Sequence, residues 1–223
     1  MITKPGEVVC VAIINRQMAK LILARHGVTP YNEEGLWTGI TDVDMSPKGY
    51  EEVEKGAGII ARYHIDIALT STLVRGRNTA KITLAQQKKH DIPLLETPLL
   101  NEKDYGVFTG KNKHRVRAEV GDETFMQIRR SWDYKIEGGE SLRDVHARVM
   151  LLHREVVLPI LKSGRTVYIS AHNNTLRALV KDLEDIPDKE ASGIELGTAE
   201  VRIYDFSDGN FVLEEKHAIG DVH

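Results

Sequence analysis

The sequence is poor in cysteine and in long apolar runs. Its 223 residues include one cysteine, Cys10, so no intramolecular disulfide can form and no cysteine pair is available for a metal. This usage is typical of a protein of the reducing cytoplasm. The longest apolar run, Val8 to Ile14, has seven residues, whereas a membrane-spanning helix needs about 20. We therefore expect a cytoplasmic protein with no membrane segment.

The chain also lacks an excess of positive charge. Its 30 Lys and Arg residues against 33 Asp and Glu residues give a net charge of −3, so no global positive field indicates nucleic acid as a partner. No glycine-rich nucleotide loop, zinc-type histidine pair or nucleophile elbow is present. Their absence argues against nucleotide-dependent kinases, metalloenzymes and serine hydrolases. An anionic substrate would have to be bound by a local cluster of cations.

What the sequence does contain is an alternation of predicted strands and helices. Short apolar runs predict strands at 21–24, 65–70, 92–95 and 166–171, with a closing hairpin over 200–206 and 211–215. Helical patterns and capping residues predict helices at 46–62, 73–87, 113–120, 125–132, 141–161 and 174–183. Pro93 confines the strand at 92–95 to a sheet edge, because proline cannot donate to a strand ladder.

This alternation predicts a three-layer α/β/α fold with a mainly parallel sheet. We expect one catalytic domain over residues 18–223. Met18-Ala19-Lys20 has the pattern of a natural start directly before the first strand. Residues 1–17 are therefore interpreted as an extension that is either disordered or an added strand.

Chemically useful side chains follow three of the predicted strands. Arg25 and His26 end the first strand. Arg75 comes one helical turn after the second, and His172 ends the third. Because ligands of such sheets bind beyond the carboxyl ends of the strands, we expect these groups to converge. Imidazole is a good nucleophile toward phosphorus, guanidinium groups fork onto phosphate oxygens, and a carboxylic acid must protonate the leaving oxygen. Glu102 is the candidate acid.

Seven blocks of sequence, in order, resemble the cofactor-dependent phosphoglycerate mutases of the histidine phosphatase superfamily. The blocks are Arg25-His26-Gly27 with Asn32, Thr38-Gly39 and Asp42; Thr70-Ser71 with Leu73, Arg75 and Thr79; Leu100-Asn101-Glu102 with Tyr105-Gly106; Gly110 with Asn112-Lys113; Arg129-Arg130-Ser131; Gly139-Glu140-Ser141-Leu142; and Ala171-His172 with Asn174 and Leu176 to Lys181. One Arg-His-Gly triplet would be a weak signal, but seven ordered blocks are specific.

The resemblance implies a histidine-phosphatase fold and an enzyme of glycolysis and gluconeogenesis that interconverts 3-phosphoglycerate and 2-phosphoglycerate through a phosphorylated His26. It implies 2,3-bisphosphoglycerate as the phosphoryl primer, phosphoglycerates as small-molecule partners and no metal. A monomer or a homodimer is expected. Glu102 is assigned as the acid–base, and Arg25, Arg75 and His172 are assigned to the transferring phosphoryl group. Nine more residues are assigned to substrate binding: Asn32, Thr38, Gly39, Tyr105, Lys113, Arg129, Arg130, Asn173 and Asn174.

The chain departs from the family's usual pattern in three places. Val28-Thr29 replaces the usual Glu-Ser, and Asn173 replaces a usual glycine. A side chain at position 173 enters a place that often needs bare backbone near phosphate, so we expect it to bear on the shape of the pocket. Between Ser131 and Gly139 the chain resembles the short family members, which lack a long loop near the site.

Three side chains have structural interpretations instead. Trp37 and Trp132 are predicted to pack rather than to bind a ligand. Arg177 is predicted to bridge to a carboxylate rather than to contact substrate.

Two other functions stay open from the sequence. A phosphatase on the same fold would pass the phosphoryl group from His26 to water and would act on another small phosphorylated metabolite. The segment with Lys113, Arg129 and Arg130 favours the mutase, because small phosphatases of the superfamily generally lack it. A non-catalytic protein that binds phosphorylated ligands is the third hypothesis, and the intact set of predicted catalytic side chains argues against it.

Overall fold

The computed structural model describes residues 19–222, so the predicted extension over residues 1–17 lies outside the described residues. One six-stranded sheet forms the centre. Its strands are β1 (Ala19–Arg25), β2 (Ile67–Thr70), β3 (Leu94–Glu96), β4 (Val167–Ala171), β5 (Val201–Ser207) and β6 (Asn210–His217). Their order is β3-β2-β4-β1-β5-β6. The first four are parallel, and β5 and β6 are antiparallel, which confirms the mainly parallel sheet and the edge position of β3.

Helices cover both faces of this sheet. The α-helices within the described residues are α1 (Pro30–Glu33), α2 (Pro47–Ile60), α3 (Val74–Ala85), α4 (Lys113–Arg130), α5 (Leu142–Leu152), α6 (Leu158–Lys162) and α7 (Asn173–Leu183). Leu21 and Leu23 of β1 pack into a core with α5, α6 and α7. Ile22 and Ala24 pack on the other face with α2 and α3. Successive strand residues point to opposite faces, so this division gives the predicted three layers.

Local signals start two of the longer helices where the sequence predicts. Ser46 caps α2 by accepting a hydrogen bond from the Gly49 amide, and Pro47 occupies the first helical position. Ser141 and Asp144 form a reciprocal capping box at the start of α5. The short helix α1 was not predicted. It begins with a similar exchange between Thr29 and Asn32.

The helix predicted over 141–161 is continuous but contains one wide turn. Residues His153–Val157 adopt a π-helical turn between α5 and α6. Pro159 explains this turn, because proline has no amide hydrogen and its ring crowds the carbonyl four residues earlier. An extra residue in the preceding turn relieves that crowding.

Residues 101–140, which we call the cap, form a separate small region. The two helices predicted there appear as α4, interrupted at Gly121, whose φ of 78° and ψ of 163° are not helical. A core of its own supports the cap and includes Trp37, Tyr105, Phe125 and Ile128.

A close backbone contact sets the path of the chain after β1. A Cβ atom on Gly27 would lie 2.1 Å from the Gly49 carbonyl oxygen, and one on Gly49 would lie equally close to the Val28 carbonyl. Two glycines therefore allow the start of α2 to pack against the backbone just after His26.

Candidate active site

A cleft opens where the carboxyl edge of the sheet meets the cap. Twelve of the fourteen predicted site residues line it: Arg25, His26, Asn32, Thr38, Gly39, Arg75, Glu102, Tyr105, Lys113, Arg129, Asn173 and Asn174. Leu36, Trp37 and Arg177, which were not predicted for the site, line it as well. The other two predicted residues do not line the cleft. His172 packs beside it, next to the ring of His26, and Arg130 forms an ion pair with Glu195. The predicted convergence of two histidines and two arginines is confirmed.

The ring of His26 is fixed at the end of β1. Its side chain is 4% exposed, and its backbone amide donates to the Ala171 carbonyl of the neighbouring strand. Nδ1 lies 2.7 Å from the Gly27 carbonyl oxygen. A carbonyl can only accept, so Nδ1 carries a proton, and in the neutral form of the ring Nε2 is the basic nitrogen. This tautomer presents Nε2 as the nucleophilic atom.

His172 is fully buried next to this ring. The two ring centroids are 5.1 Å apart, and Ser71 Oγ lies 2.8 Å from His172 Nε2. Burial, followed by the nearby charge of Arg75, holds the pKa of His172 well below its usual value. The imidazole is therefore neutral near pH 7.

Two buried arginines supply positive charge beside the histidines. Arg25 donates from Nη1 to the Leu196 carbonyl at 2.6 Å, and Arg75 donates to the Thr41 and Gly39 carbonyls, both at 2.8 Å. Burial lowers the pKa of each guanidinium to about 10, so both stay charged near pH 7. The Nε atom of each is buried without a hydrogen-bond partner among the described residues. Such donors fit a bound oxyanion.

The carboxylate of Glu102 sits at the start of α7. It accepts from its neighbour, the Lys103 amide, at 2.8 Å and from the Asn174 amide at 3.2 Å. Amides of a helix N-terminus stabilise negative charge. The Asn174 amide is therefore already engaged by a carboxylate of the protein itself.

A chain of polar contacts joins α7 to the cap. Asn174 donates to the Tyr105 hydroxyl at 2.9 Å and accepts from Arg177 at 2.7 Å. Burial, and then the charge of Glu102, raises the pKa of Tyr105 to about 12, so the hydroxyl stays protonated. Arg177 also lies 3.9 Å from Glu195. Its predicted bridge to a carboxylate is confirmed, although it lines the cleft too.

Trp37 packs as predicted. It is 2% exposed, and its ring lies 4.3 Å from that of Tyr105 and 5.9 Å from that of Phe125. It also forms part of the cleft wall. Sequence position alone does not separate these two contributions.

The cap contributes two half-buried cations to the cleft, Lys113 and Arg129. Lys113 Nζ lies 5.8 Å from the centre of the Trp37 ring. Burial, and then repulsion from Arg129, lowers the pKa of Lys113 to about 8. This ammonium therefore loses its charge just above neutral pH.

Two predicted residues are engaged with the segment after α7. Arg130 forms an ion pair with Glu195 and donates to the Ser192 carbonyl at 3.3 Å. Asn173 lines the cleft while its Oδ1 accepts from the Leu196 amide at 3.3 Å. The side chain at the unusual position 173 thus ties α7 to that segment. Arg130 would have to leave Glu195 before it could bind a ligand with the same donors.

Within residues 19–222, no helix is long and apolar enough to cross a membrane. Over the same range, no three His, Cys, Asp or Glu side chains are grouped so that they could hold a metal ion.

Comparison with known proteins places this geometry in a family. Residues 21–218 match the model of the histidine phosphatase superfamily, branch 1. Proteins named 2,3-bisphosphoglycerate-dependent phosphoglycerate mutase are similar over most of their length. The one from Thermobifida fusca is 39% identical, covering 86% of this chain and 88% of that protein. The one from Cytophaga hutchinsonii is 40% identical, covering 85% of this chain and 89% of that protein.

Solved structures show the same fold. A mycobacterial glucosyl-3-phosphoglycerate phosphatase in complex with VO3 superposes with a TM-score of 0.79 at 22% identity, over 91% of this chain and 100% of that one. Bacillus stearothermophilus YhfR superposes with a TM-score of 0.78 at 25% identity, over 92% of this chain and 98% of that one. The chain therefore belongs to the histidine phosphatase superfamily, branch 1, as an enzyme of the family that includes these phosphoglycerate mutases.

Proposed function

We propose that this enzyme is a 2,3-bisphosphoglycerate-dependent phosphoglycerate mutase that interconverts 3-phosphoglycerate and 2-phosphoglycerate. One observation carries the proposal: a single cleft combines buried cations beside His26 with further cations from the cap. Arg25 and Arg75 suit the transferring phosphoryl group, and Lys113 and Arg129 suit the carboxylate and the second phosphate. The relatives at 36–40% identity that carry the mutase name support the same function.

His26 would carry the phosphoryl group between substrates. Its Nε2 forms a bond to phosphorus while the bond from phosphorus to the substrate oxygen breaks. Glu102 gives its proton to that leaving oxygen, and it takes a proton back when a hydroxyl attacks the phosphohistidine. The charge on the transferring oxygens is held by Arg25 and Arg75, because positioning and charge stabilisation dominate phosphoryl transfer.

The buried Nε atoms of Arg25 and Arg75, which have no hydrogen-bond partner within residues 19–222, also fit a phosphate of the primer. When bound, 2,3-bisphosphoglycerate supplies the phosphoryl group that first loads His26. Side chains of the cleft that do not contact the reacting phosphate would hold the bisphosphorylated molecule while it reorients. Retention requires contacts away from the reacting phosphate, and the cap cations Lys113 and Arg129 are proposed to make them.

A phosphatase is the second candidate, and the position of Arg130 favours it. That cation was expected to help to hold the glycerate body, but it is paired with Glu195. An enzyme that binds the carboxylate and the second phosphate more weakly would release its product more readily. Water could then hydrolyse the phosphohistidine.

The deciding experiment measures interconversion of the two phosphoglycerates with and without added 2,3-bisphosphoglycerate, with phosphate release recorded in the same samples. We expect isomerisation that depends on the primer and outpaces phosphate release. The variant His26→Ala serves as the control for contaminating activity. Phosphate release without isomerisation would contradict the mutase and support the phosphatase.

A further inference from the structure

An ion pair outside the cleft holds the segment that carries Glu102. Arg148, on α5, donates from Nε and Nη2 to the two carboxylate oxygens of Glu140, at 2.9 and 3.0 Å. The two side chains are only 17% and 24% exposed. Neither residue lines the cleft. Two hydrogen bonds between the same two side chains restrict the orientation of the guanidinium relative to the carboxylate.

The guanidinium of Arg148 also forms hydrogen bonds to the backbone at and before Glu102, the proposed acid–base catalyst. Arg148 donates from Nη1 to the Leu99 carbonyl at 2.8 Å and from Nη2 to the carbonyl of Glu102 itself at 3.2 Å. One rigid group thus spans the stretch that leads into Glu102.

Glu140, the partner of Arg148 in the ion pair, forms hydrogen bonds to the backbone that follows Glu102. Glu140 Oε2 accepts from the Asp104 amide at 3.0 Å, and the Glu140 amide donates to the Asp104 carbonyl at 2.9 Å. The residues before and after Glu102 are therefore attached to the same ion pair.

This attachment matters because the segment has no regular structure of its own. Residues 101–105 belong to no helix or strand, so no ladder of backbone hydrogen bonds holds them in place. A shift of about 1 Å in a catalytic group can cost on the order of a hundredfold in rate. The amides of Lys103 and Asn174 contact the Glu102 carboxylate itself, whereas Arg148 of α5 contacts the backbone from which that side chain projects.

We propose that Arg148 and Glu140 are positioning residues that set the location of the acid–base Glu102. The proposal rests on the role given to Glu102 in the proposed function. Neither residue touches the substrate. Their loss should affect the step in which a proton reaches the leaving oxygen, and it should leave substrate binding by Arg25, Arg75 and the cap cations in place.

The test compares two substrates that differ in their need for an acid. The substrates are 2,3-bisphosphoglycerate and p-nitrophenyl phosphate. When 2,3-bisphosphoglycerate loads His26, phosphoglycerate leaves as a strongly basic alkoxide unless its oxygen is protonated, whereas the nitrophenolate of p-nitrophenyl phosphate leaves without a proton. Phosphohistidine formation from each substrate is measured for the wild type, Arg148→Met, Arg148→Lys and Glu140→Gln, with Tm recorded for all. The variant Arg143→Met is the matched control, since Arg143 lies on the same helix and pairs with Asp133 on the surface at 61% exposure.

We expect Arg148→Met to lower the rate with 2,3-bisphosphoglycerate by about tenfold to a hundredfold, with KM little changed and a much smaller loss with p-nitrophenyl phosphate. Arg148→Lys and Glu140→Gln should show the same pattern more weakly, so the pattern can be measured even if Arg148→Met folds poorly. Arg143→Met should match the wild type with both substrates.

A double-mutant cycle with Glu102→Gln separates positioning from a general structural effect. If Arg148 acts through Glu102, adding Arg148→Met to Glu102→Gln should lower the rate little further. Equal losses with both substrates, or losses that multiply in the double variant, would overturn the proposal. Because the assay follows loading of His26, it gives an answer whether the enzyme proves to be a mutase or a phosphatase.

Discussion

The cleft is built from two unlike regions, the carboxyl edge of the sheet and the cap. At the sheet edge, Arg25 and Arg75 are 3% and 0% exposed and are braced by backbone carbonyls. In the cap, Lys113 and Arg129 are half-buried and come from a helix interrupted at Gly121. The main core supports the sheet edge, while a small separate core supports the cap.

This difference suits the two tasks that a phosphoryl-transfer cleft must perform. Charge that develops on the transferring group is best met by donors already in place, since they need no reorganisation during the reaction. The remainder of a substrate must enter, turn and leave, which favours side chains with some freedom. Substitutions at the sheet edge should therefore act on the chemical step, and substitutions in the cap should act on binding and retention.

The largest effect is expected at His26. His26→Ala should lower phosphoryl transfer by orders of magnitude without unfolding the protein, because no neighbouring group replaces a covalent step. Turnover and Tm are measured together, with the exposed His90→Ala as control. Substantial turnover in a folded His26→Ala protein would show that the chemical step does not occur on His26 at the sheet edge.

A paired substitution tests the comparison directly. Arg75→Gln should lower kcat on the order of a hundredfold, as expected for a preorganised donor to the transferring group. Arg129→Gln should mainly raise KM, since a charge-assisted contact is worth about 1.5–3 kcal/mol. Steady-state kinetics of both variants give the two parameters. If both variants have a lower kcat and an unchanged KM, the sheet edge and the cap do not differ in function as described.

The pH dependence of Lys113 gives a smaller effect. Its pKa of about 8 means that the ammonium loses its charge as pH rises through that value, so binding of an anionic substrate should weaken there. We expect kcat/KM to fall above about pH 8 in the wild type. Lys113→Arg keeps its charge at that pH and should remove the fall. A fall that persists in this variant would point to another group, of which the buried Lys103, with a pKa of about 8, is the first to test.

The smallest effect is expected at Arg130, because its guanidinium is already paired with the carboxylate of Glu195. Arg130→Ala should raise the ratio of phosphate release to isomerisation while leaving loading of His26 intact, since distal contacts retain the intermediate. Both products are measured in one assay, with the exposed Arg117→Ala as control. Equal losses of both activities would show that Arg130 has no part in retention.

Local chemistry explains which features could be predicted from the sequence. Apolar runs and capping residues mark β1, α2 and α5 because a strand or a helix start depends on neighbours within a few residues. The rule that ligands bind beyond the carboxyl ends of parallel strands then brings His26 and His172 together. The cap was predicted less completely, because its two helical stretches are joined through Gly121 in a way that the pattern does not specify.

By itself, the sequence determined the order of the elements, the mainly parallel sheet and the set of side chains at its edge. Only the tertiary structure decided which polar groups from distant parts of the chain become partners. Arg130 pairs with Glu195, the Asn174 amide serves Glu102, and Arg148 holds the segment that carries Glu102. The residues joined by these contacts are between 46 and 72 positions apart in the sequence. A distant partner is chosen by how whole elements pack against one another, and no local pattern encodes that choice.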